Sequence, residues 1–418
     1  MPEKEVLRQY QSLPLLAKVH MSQARIREWY DHWDGNVYVS FSGGKDSTVL
    51  AHLVHEYYPD VPLVFSNTGL EYPEIQQFAR KMGAIFIRPQ MSFSEVISTY
   101  GYPIISKENA EAIYYARAIR NSETPMLTAK RKRIELNGER TKVDGNETMR
   151  RRSDLQGNRE KFEALNARET TKDDSEWKDW RRKTLLGSGA FETKKSMFNK
   201  EKWLPLCSET QFMISHKCCE VMKKRPMGSY QKRNKIYPII GTLAEESKLR
   251  EQAWVRHGCN AFEGTKKTSQ PMSFWLEQDV LRYIVENDLE IASVYGDIVV
   301  TDSDGMQYDP KLAQCGKLQC TGCDRTGCIF CGFGVHLEKG ETRFQRLAKT
   351  HPKQYEYCMR GGQWVDNPKY DPTAPKMDGE WQNWNPKKIW VPSKEGLGMQ
   401  KVFDDCNQIY GKDFIRYE

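Results

Sequence analysis

Apolar positions recur at helical spacing between Glu5 and Trp33, through Leu7, Leu13, Leu15, Leu16, Val19, Ile26 and Trp29, with Pro14 as the one strong breaker. Proline is tolerated in a first helical turn and not in a helix interior, so the pattern predicts two helices, Glu5–Ser12 and Leu15–Trp33. After the turn Asp34-Gly35 the period changes. Val37–Phe41 is a short β-branched and aromatic run, a strand, followed at once by Ser42-Gly43-Gly44-Lys45-Asp46-Ser47 and an apolar helical stretch, Thr48–Tyr58. The alternation continues with a strand at Val61–Phe65, a helix at Pro73–Met82 and a strand at Ala84–Ile87. Strands alternating with helices predict an α/β fold, an open, mainly parallel sheet with helices on both faces.

From about Arg117 to Lys202 apolar residues thin out. The basic clusters Lys130–Arg133, Arg150–Arg152 and Arg181–Lys183 are interspersed with acids, which reads as a basic, partly helical insertion. The α/β pattern resumes with helices at Ser208–Met222, Leu243–His257 and Phe274–Glu286 and a strand at Ile236–Ile240. Cysteines then crowd between Cys315 and Cys331. The expected organisation is N-terminal helices over 1–35, the first part of the α/β domain over 36–116, the insertion over 117–202 and the second part over 203–310. A Cys-rich, metal-binding segment over 311–337 and a C-terminal extension over 338–418 follow.

With 418 residues the chain can bury a sizeable core, and its longest apolar runs are far too short to span a bilayer. Met1–Tyr10 is polar and lacks the apolar stretch of a signal peptide, so a cytoplasmic protein with no membrane partner is expected. In that setting the 11 cysteines read as thiols, metal ligands or catalytic groups rather than a disulfide framework. A formal charge of +7 favours phosphate-bearing partners only mildly. The three basic clusters, with Trp177 and Trp180 nearby, suit nucleic acid through phosphate contacts and stacking; a solvated, charge-balanced insertion suits them equally. His216, His257 and His336 lie near cysteine or phosphate motifs, where a packed or surface role is the commoner one.

The glycine loop carries the sharpest chemistry. A strand that ends in Ser42–Ser47 and opens a helix puts unpaired N–H groups and the positive end of a helix dipole at one point, a seat for phosphate. Gly43 and Gly44 let the backbone come close, Ser42 and Ser47 offer hydroxyls, and Lys45 adds a charge. The spacing is neither that of a Walker loop nor that of a dinucleotide fingerprint. Five fixed positions of the form S-G-G-x-D-S arise by chance in on the order of one chain per thousand of this length, so an ordinary glycine turn carries little weight.

Val39-Ser40-Phe41-Ser42-Gly43-Gly44-Lys45-Asp46-Ser47 resembles the pyrophosphate loop of the PP-loop ATP pyrophosphatases, and of their branches the adenylyl-sulfate and phosphoadenylyl-sulfate reductases match best. Phe65-Ser66-Asn67-Thr68-Gly69, with Glu71 and Pro73, is similar to the second strand end of that branch, beside the nucleotide. Gly241-Thr242-Leu243-Ala244-Glu245-Glu246-Ser247 with Arg250 is similar to its G-x-x-A-x-E-S-x-x-R segment, and Trp275–Ile284 to its next helix.

The resemblance implies an enzyme that binds ATP or an adenylylated sulfur compound for adenylation or sulfur transfer, with Mg2+ when the ligand is ATP. It implies nucleotide contacts at Ser40, Ser42, Gly43, Gly44, Lys45, Asp46, Ser47, Asn67, Thr68, Gly69 and Glu246, and catalytic roles for Lys45, Asp46 and Arg250. The alternative reading is a nucleic-acid-binding component of a DNA or RNA modification complex that retains the nucleotide fold.

Tandem Cys218-Cys219 with the distant pair Cys328-x-x-Cys331 resembles the [4Fe–4S] ligand set of adenylyl-sulfate reductases, and four thiolates complete such a cluster. A tetrahedral zinc site on Cys320, Cys323, Cys328 and Cys331 is the open alternative, since paired C-x-x-C units suit Zn2+. Cys207, Cys259, Cys315, Cys358 and Cys406 read as buried or incidental thiols. One departure stands out. The reductases attack sulfur with a thiol in an E-C-G-type motif near the carboxyl terminus, whereas the last cysteine here sits in Asp404-Asp405-Cys406-Asn407, where acids raise a thiol pKa.

Overall fold

The structure is a computed structural model that describes residues 3–117, 201–203, 205–206, 209–264, 267–302, 304–311, 316–372 and 384–418. The body of the expected insertion, with its basic clusters, lies outside the described residues, as do Cys207 and Cys315. The chain forms two compact units, one from Met1–Val96 and Lys217–Cys331, the other from Ile97–His216 and Gly332–Glu418.

The first unit is built on a six-stranded sheet. Its strands β1 (Val37–Phe41), β2 (Leu63–Ser66) and β3 (Ile85–Ile87) run outward on one side, and Tyr237–Ile240, Thr268–Ser269 and Asn260–Ala261 continue it on the other side of β1. All neighbours are parallel except the last pair. Helices α3 (Lys45–His55) and α4 (Pro73–Lys81) carry the chain from β1 to β2 and from β2 to β3. Strand order therefore reverses beside β1, and a crevice opens outside the carboxyl ends of β1 and Tyr237–Ile240, the place where open α/β sheets bind ligands.

Both faces of the sheet are covered. Tyr237 is in register with Val37 and shares its face, where the Trp29 ring of α2 (Leu15–His32) packs on it at 6.5 Å. Tyr38 points the other way, packs against Tyr230 at 5.9 Å and accepts a hydrogen bond from Gln231, both on the helix Arg225–Asn234. The buried stripe of α2 is Lys18, Ser22, Ile26 and Trp29, a helical spacing that includes a lysine. Lys18, 1% exposed, holds its ammonium 2.6 Å from the Asp279 carboxylate, which also accepts the Leu276 N–H and so caps the helix Glu277–Glu286.

The second unit gathers Lys107–Arg117, the parallel pair Ile104–Ile105 with Gly332–Phe333, the antiparallel pair Gln363–Asp366 with Lys388–Val391, and three helices, Arg343–Thr350, Pro352–Met359 and Met399–Tyr410. Phe344, Leu347, Phe403, Cys358 and Cys406 are buried between those helices.

Elements differ from the expected ones in three places. The expected helix over Ser208–Met222 is absent from its first half: Phe212 bridges to Trp390 and Ile214 to Tyr102 as extended chain. Phe212 and Ile214 are both buried with a half-buried residue between them, a period of two that strand pairing favours over a helix. Helical structure begins only at the cysteines, as a π-helical turn, Glu220–Lys224, that runs into Arg225–Asn234. Pro226 stands in the first turn of that second helix, where its missing N–H costs nothing, and the widened turn precedes it. The stretch Leu243–His257 is broken at Ser247, whose hydroxyl accepts the Arg250 N–H and starts Lys248–His257 after a 3-10 turn, Ala244–Glu246. The helix expected from Phe274 starts at Glu277.

Candidate active site

The glycine loop follows β1 directly, and α3 begins inside it, with Gly44 as the N-cap. Gly43 has φ +71° and faces Ile75, whose Cγ2 a Cβ would meet at 2.8 Å, so both backbone conformation and space require glycine there. The two loop serines tie the loop to itself. Ser47 Oγ accepts the Ser42 N–H at 3.2 Å and donates to the Gly44 carbonyl at 2.9 Å, while Ser42 Oγ accepts the Gly44 N–H at 3.3 Å. Their first task is to shape the loop. Ser40, on β1, pairs with Val64 and Ile240 in the sheet.

Gly241 brings the second wall. A Cβ there would lie 2.9 Å from the Asp46 carbonyl oxygen, so only glycine lets the end of Tyr237–Ile240 approach the first turn of α3 this closely. The segment after it then delivers Glu246 and Arg250, which form an ion pair one helical turn apart. Arg325, from the linker between the two C-x-x-C pairs, reaches the other oxygen of Glu246 at 3.6 Å. Burial, and then the neighbouring Arg325 guanidinium, lower the Arg250 pKa. Burial raises the pKa of Asp46, against Lys45, Arg325 and Arg250, which favour its charged form.

Lys45 is buried, and its ammonium is held by neighbouring side chains. It lies 3.3 Å from Glu277 and 3.8 Å from the Cys320 thiol, over the Tyr295 ring at 5.3 Å. The Tyr295 hydroxyl pairs with Thr326 at 2.5 Å and accepts the Lys45 backbone N–H; burial raises its pKa to about 12. It therefore stands at the helix N-terminus where a phosphate oxygen is expected.

Asn67, Thr68 and Gly69 form the turn after β2. Asn67 Oδ1 accepts the Gly69 N–H at 3.2 Å, and the Thr68 hydroxyl donates to buried Glu71 at 2.6 Å. The cysteine segment is fastened to this turn, because the Ile329 N–H donates to the Leu70 carbonyl at 2.8 Å. Burial raises the Cys218 pKa, and the thiols that add to the rise are those of Cys219, Cys328 and Cys331. The other three expected ligands thus act electrostatically on Cys218, although Cys328 lies 109 positions after Cys219 in the chain. Lys223 stands between Glu71, at 3.8 Å, and the Cys328 thiol. Cys320 is turned instead toward Lys45 and the glycine loop.

Among the described residues no group of three or more His, Cys, Asp or Glu side chains is set to hold a metal ion as it stands. The four expected thiols nonetheless have the composition that an iron–sulfur cluster takes, and Lys223 beside Cys328 suits thiolate charge.

A comparison with protein families decides the kinship. The family described as phosphoadenosine phosphosulfate reductase domain matches residues 36–122 and 184–332, more than half of the chain. The chain belongs to that family. Its match takes in the glycine loop, the turn after β2, the Glu246 and Arg250 segment and all four cysteines of the expected cluster, and it is interrupted over residues within the expected insertion. A phosphoadenosine phosphosulfate reductase domain carries a PP-loop, adenylyl-sulfate-related role, and its family is one of enzymes. A comparison with curated proteins finds no match. Among the described residues of this reductase-family chain, no helix is long and apolar enough to cross a membrane.

Residues that the sequence did not single out are Tyr295, Thr326, Arg325, Glu277 and Lys223, while Cys320, expected only as a zinc ligand, faces Lys45 instead. Only Arg325, a cation in a tight linker between cysteine pairs, carried a local signal. In the other direction, Cys406 is buried within its helix, and burial first, Asp405 second, push its thiol pKa well up. His216 packs edge-on to Tyr114, and His336 stacks on Phe414, so both are packing residues in the second unit.

Proposed function

We propose that this chain is an enzyme that seats the phosphates of ATP, or of an adenylylated sulfur compound, on Ser42–Ser47 and uses them for adenylation or sulfur transfer. The observation that carries the reading is the glycine loop at the switch point of the sheet, with Arg250 and Glu246 beside it. Backbone N–H groups at the start of α3 bind the phosphates once the Tyr295 hydroxyl gives up the Lys45 N–H, and Arg250 offsets charge that develops on them as a bond to phosphorus or sulfur breaks. Asp46, at the loop, is the carboxylate for Mg2+ when ATP is the ligand. Asn67, Thr68 and Gly69 border the nucleotide from the end of β2.

Cys218, Cys219, Cys328 and Cys331 would hold a [4Fe–4S] cluster, which when bound would supply electron-transfer capacity close to the turn after β2. The chain's own residues prepare that place: Lys223 offsets thiolate charge and the Ile329–Leu70 hydrogen bond orients the C-x-x-C pair. Cys406, buried with a raised pKa, is unsuited to the thiol attack by which sulfate is reduced, which favours adenylation or sulfur transfer over sulfate reduction.

The experiment is calorimetric titration of anaerobically prepared protein with ATP, adenylyl sulfate and phosphoadenylyl sulfate, followed by an assay of pyrophosphate release. Binding of at least one of the three is expected. Failure of all three to bind at millimolar concentration overturns the proposal.

A further inference from the structure

The linker between the two C-x-x-C pairs lies against the glycine loop. A Cβ on Gly44 would come within 3.3 Å of the Tyr295 hydroxyl and 3.9 Å of Thr326 Oγ1, and Thr326 is the residue after Arg325. Arg325 and Arg250 converge from different segments on one carboxylate, that of Glu246, whose other task is to accept the Leu243 N–H. Two guanidiniums thus share one carboxylate beside the loop, and both also favour the charged form of Asp46. Arg325 is 69% exposed and Arg250 41% exposed at the side chain, so neither must be dug out of the protein to turn toward a ligand.

We propose that Arg325 is a specificity-determining residue, forming with Arg250 a two-guanidinium clamp for the anionic group that an adenylate carries beyond its α-phosphate. This rests on the reading that an adenylate occupies Ser42–Ser47. The planar fork of each guanidinium matches the paired oxygens of a phosphate or sulfate, and a charge-assisted pair is stronger than a neutral hydrogen bond. ATP and adenylyl sulfate both offer such a group; AMP does not. A nucleotide oxygen would compete with Glu246 for both arginines, and the carboxylate keeps them together until the ligand arrives.

The test is titration calorimetry of wild type, Arg325→Ala and Arg325→Lys with ATP, adenylyl sulfate and AMP, with thermal midpoints recorded for all three proteins. Arg325→Ala should weaken ATP or adenylyl sulfate about tenfold, equivalent to about 1.4 kcal/mol, and AMP by less than about twofold. Arg325→Lys, which keeps the charge and loses the fork, should fall between. Thermal midpoints should stay together, since the side chain is exposed. Equal weakening of all three ligands, or no weakening of any in a protein of unchanged midpoint, overturns the clamp while leaving the nucleotide site standing. Failure of wild type to bind any of the three removes both.

Discussion

Lys45, the charged residue that opens α3, holds its ammonium 3.3 Å from the Glu277 carboxylate, at the start of a helix 232 residues further along the chain. The pair holds in place a loop cation that a bare glycine loop would leave free. Glu277 is half-exposed, so water screens the attraction and only part of it acts on the lysine. Glu277→Gln should release the ammonium toward bound phosphate and tighten ATP by up to about tenfold, which corresponds to about 1.4 kcal/mol. The check is the dissociation constant at two salt concentrations, where the variant should show the steeper salt dependence. Weaker binding in a folded variant would mean that Glu277 orients Lys45 for the ligand instead.

Gly241 is a packing contact with a functional consequence. Alanine there places a methyl group 2.9 Å from the Asp46 carbonyl oxygen and 3.1 Å from its carbon, and backbone cannot step aside as a flexible side chain can. The expected loss is about 1–3 kcal/mol in denaturant unfolding, with weaker nucleotide binding because the first turn of α3 is displaced. Gly228, inside Arg225–Asn234 with nothing near a Cβ, is the control: Gly228→Ala should leave stability unchanged or slightly raised. Equal behaviour of the two variants would show that the close approach does not matter.

Asp46 supplies a pH dependence. Burial raises its folded pKa above the value of an unfolded carboxylate, about 3.9. Ionising it therefore costs the folded state nothing below the unfolded pKa, progressively more as pH rises through the folded pKa, and the full amount at neutral pH. Asp46→Asn removes that cost. Its melting temperature should exceed that of wild type at pH 7, and the difference should shrink as pH falls through the carboxylate range. A difference that stays constant with pH would assign the gain to something other than this ionisation.

Cysteine replacements separate the two metal assignments. With the cluster on Cys218, Cys219, Cys328 and Cys331, Cys219→Ser should lose iron, acid-labile sulfide and visible absorbance, while Cys320→Ser retains all three. With zinc on Cys320, Cys323, Cys328 and Cys331, the sensitivities reverse and the protein is colourless. Stoichiometric zinc without acid-labile sulfide in anaerobically prepared wild type would end the cluster assignment.

The local pattern of the chain determined the strand Val37–Phe41, the glycine loop, the helices on either side of it and the parallel character of the sheet. Each of these follows from short-range period, turn chemistry and the rule that joins parallel strands through helices. Tandem and paired cysteines were legible for the same reason, as spacing within a few residues.

Three matters were decided only by tertiary structure. Period-two burial at Phe212 and Ile214 depends on their partners Trp390 and Tyr102, far away in sequence, and overrode a segment that reads locally as a helix. Lys18 is buried because Asp279 meets it, and no property of its own helix reveals that. At the site, Glu277, Tyr295 and Arg325 reach Lys45, the start of α3 and Glu246 only after the sheet has placed segments distant in the chain at one crevice. The chemistry of the loop was local, and so was written in adjacent residues. Its charge environment was not, because electrostatic partners are chosen by distance in space and not along the chain.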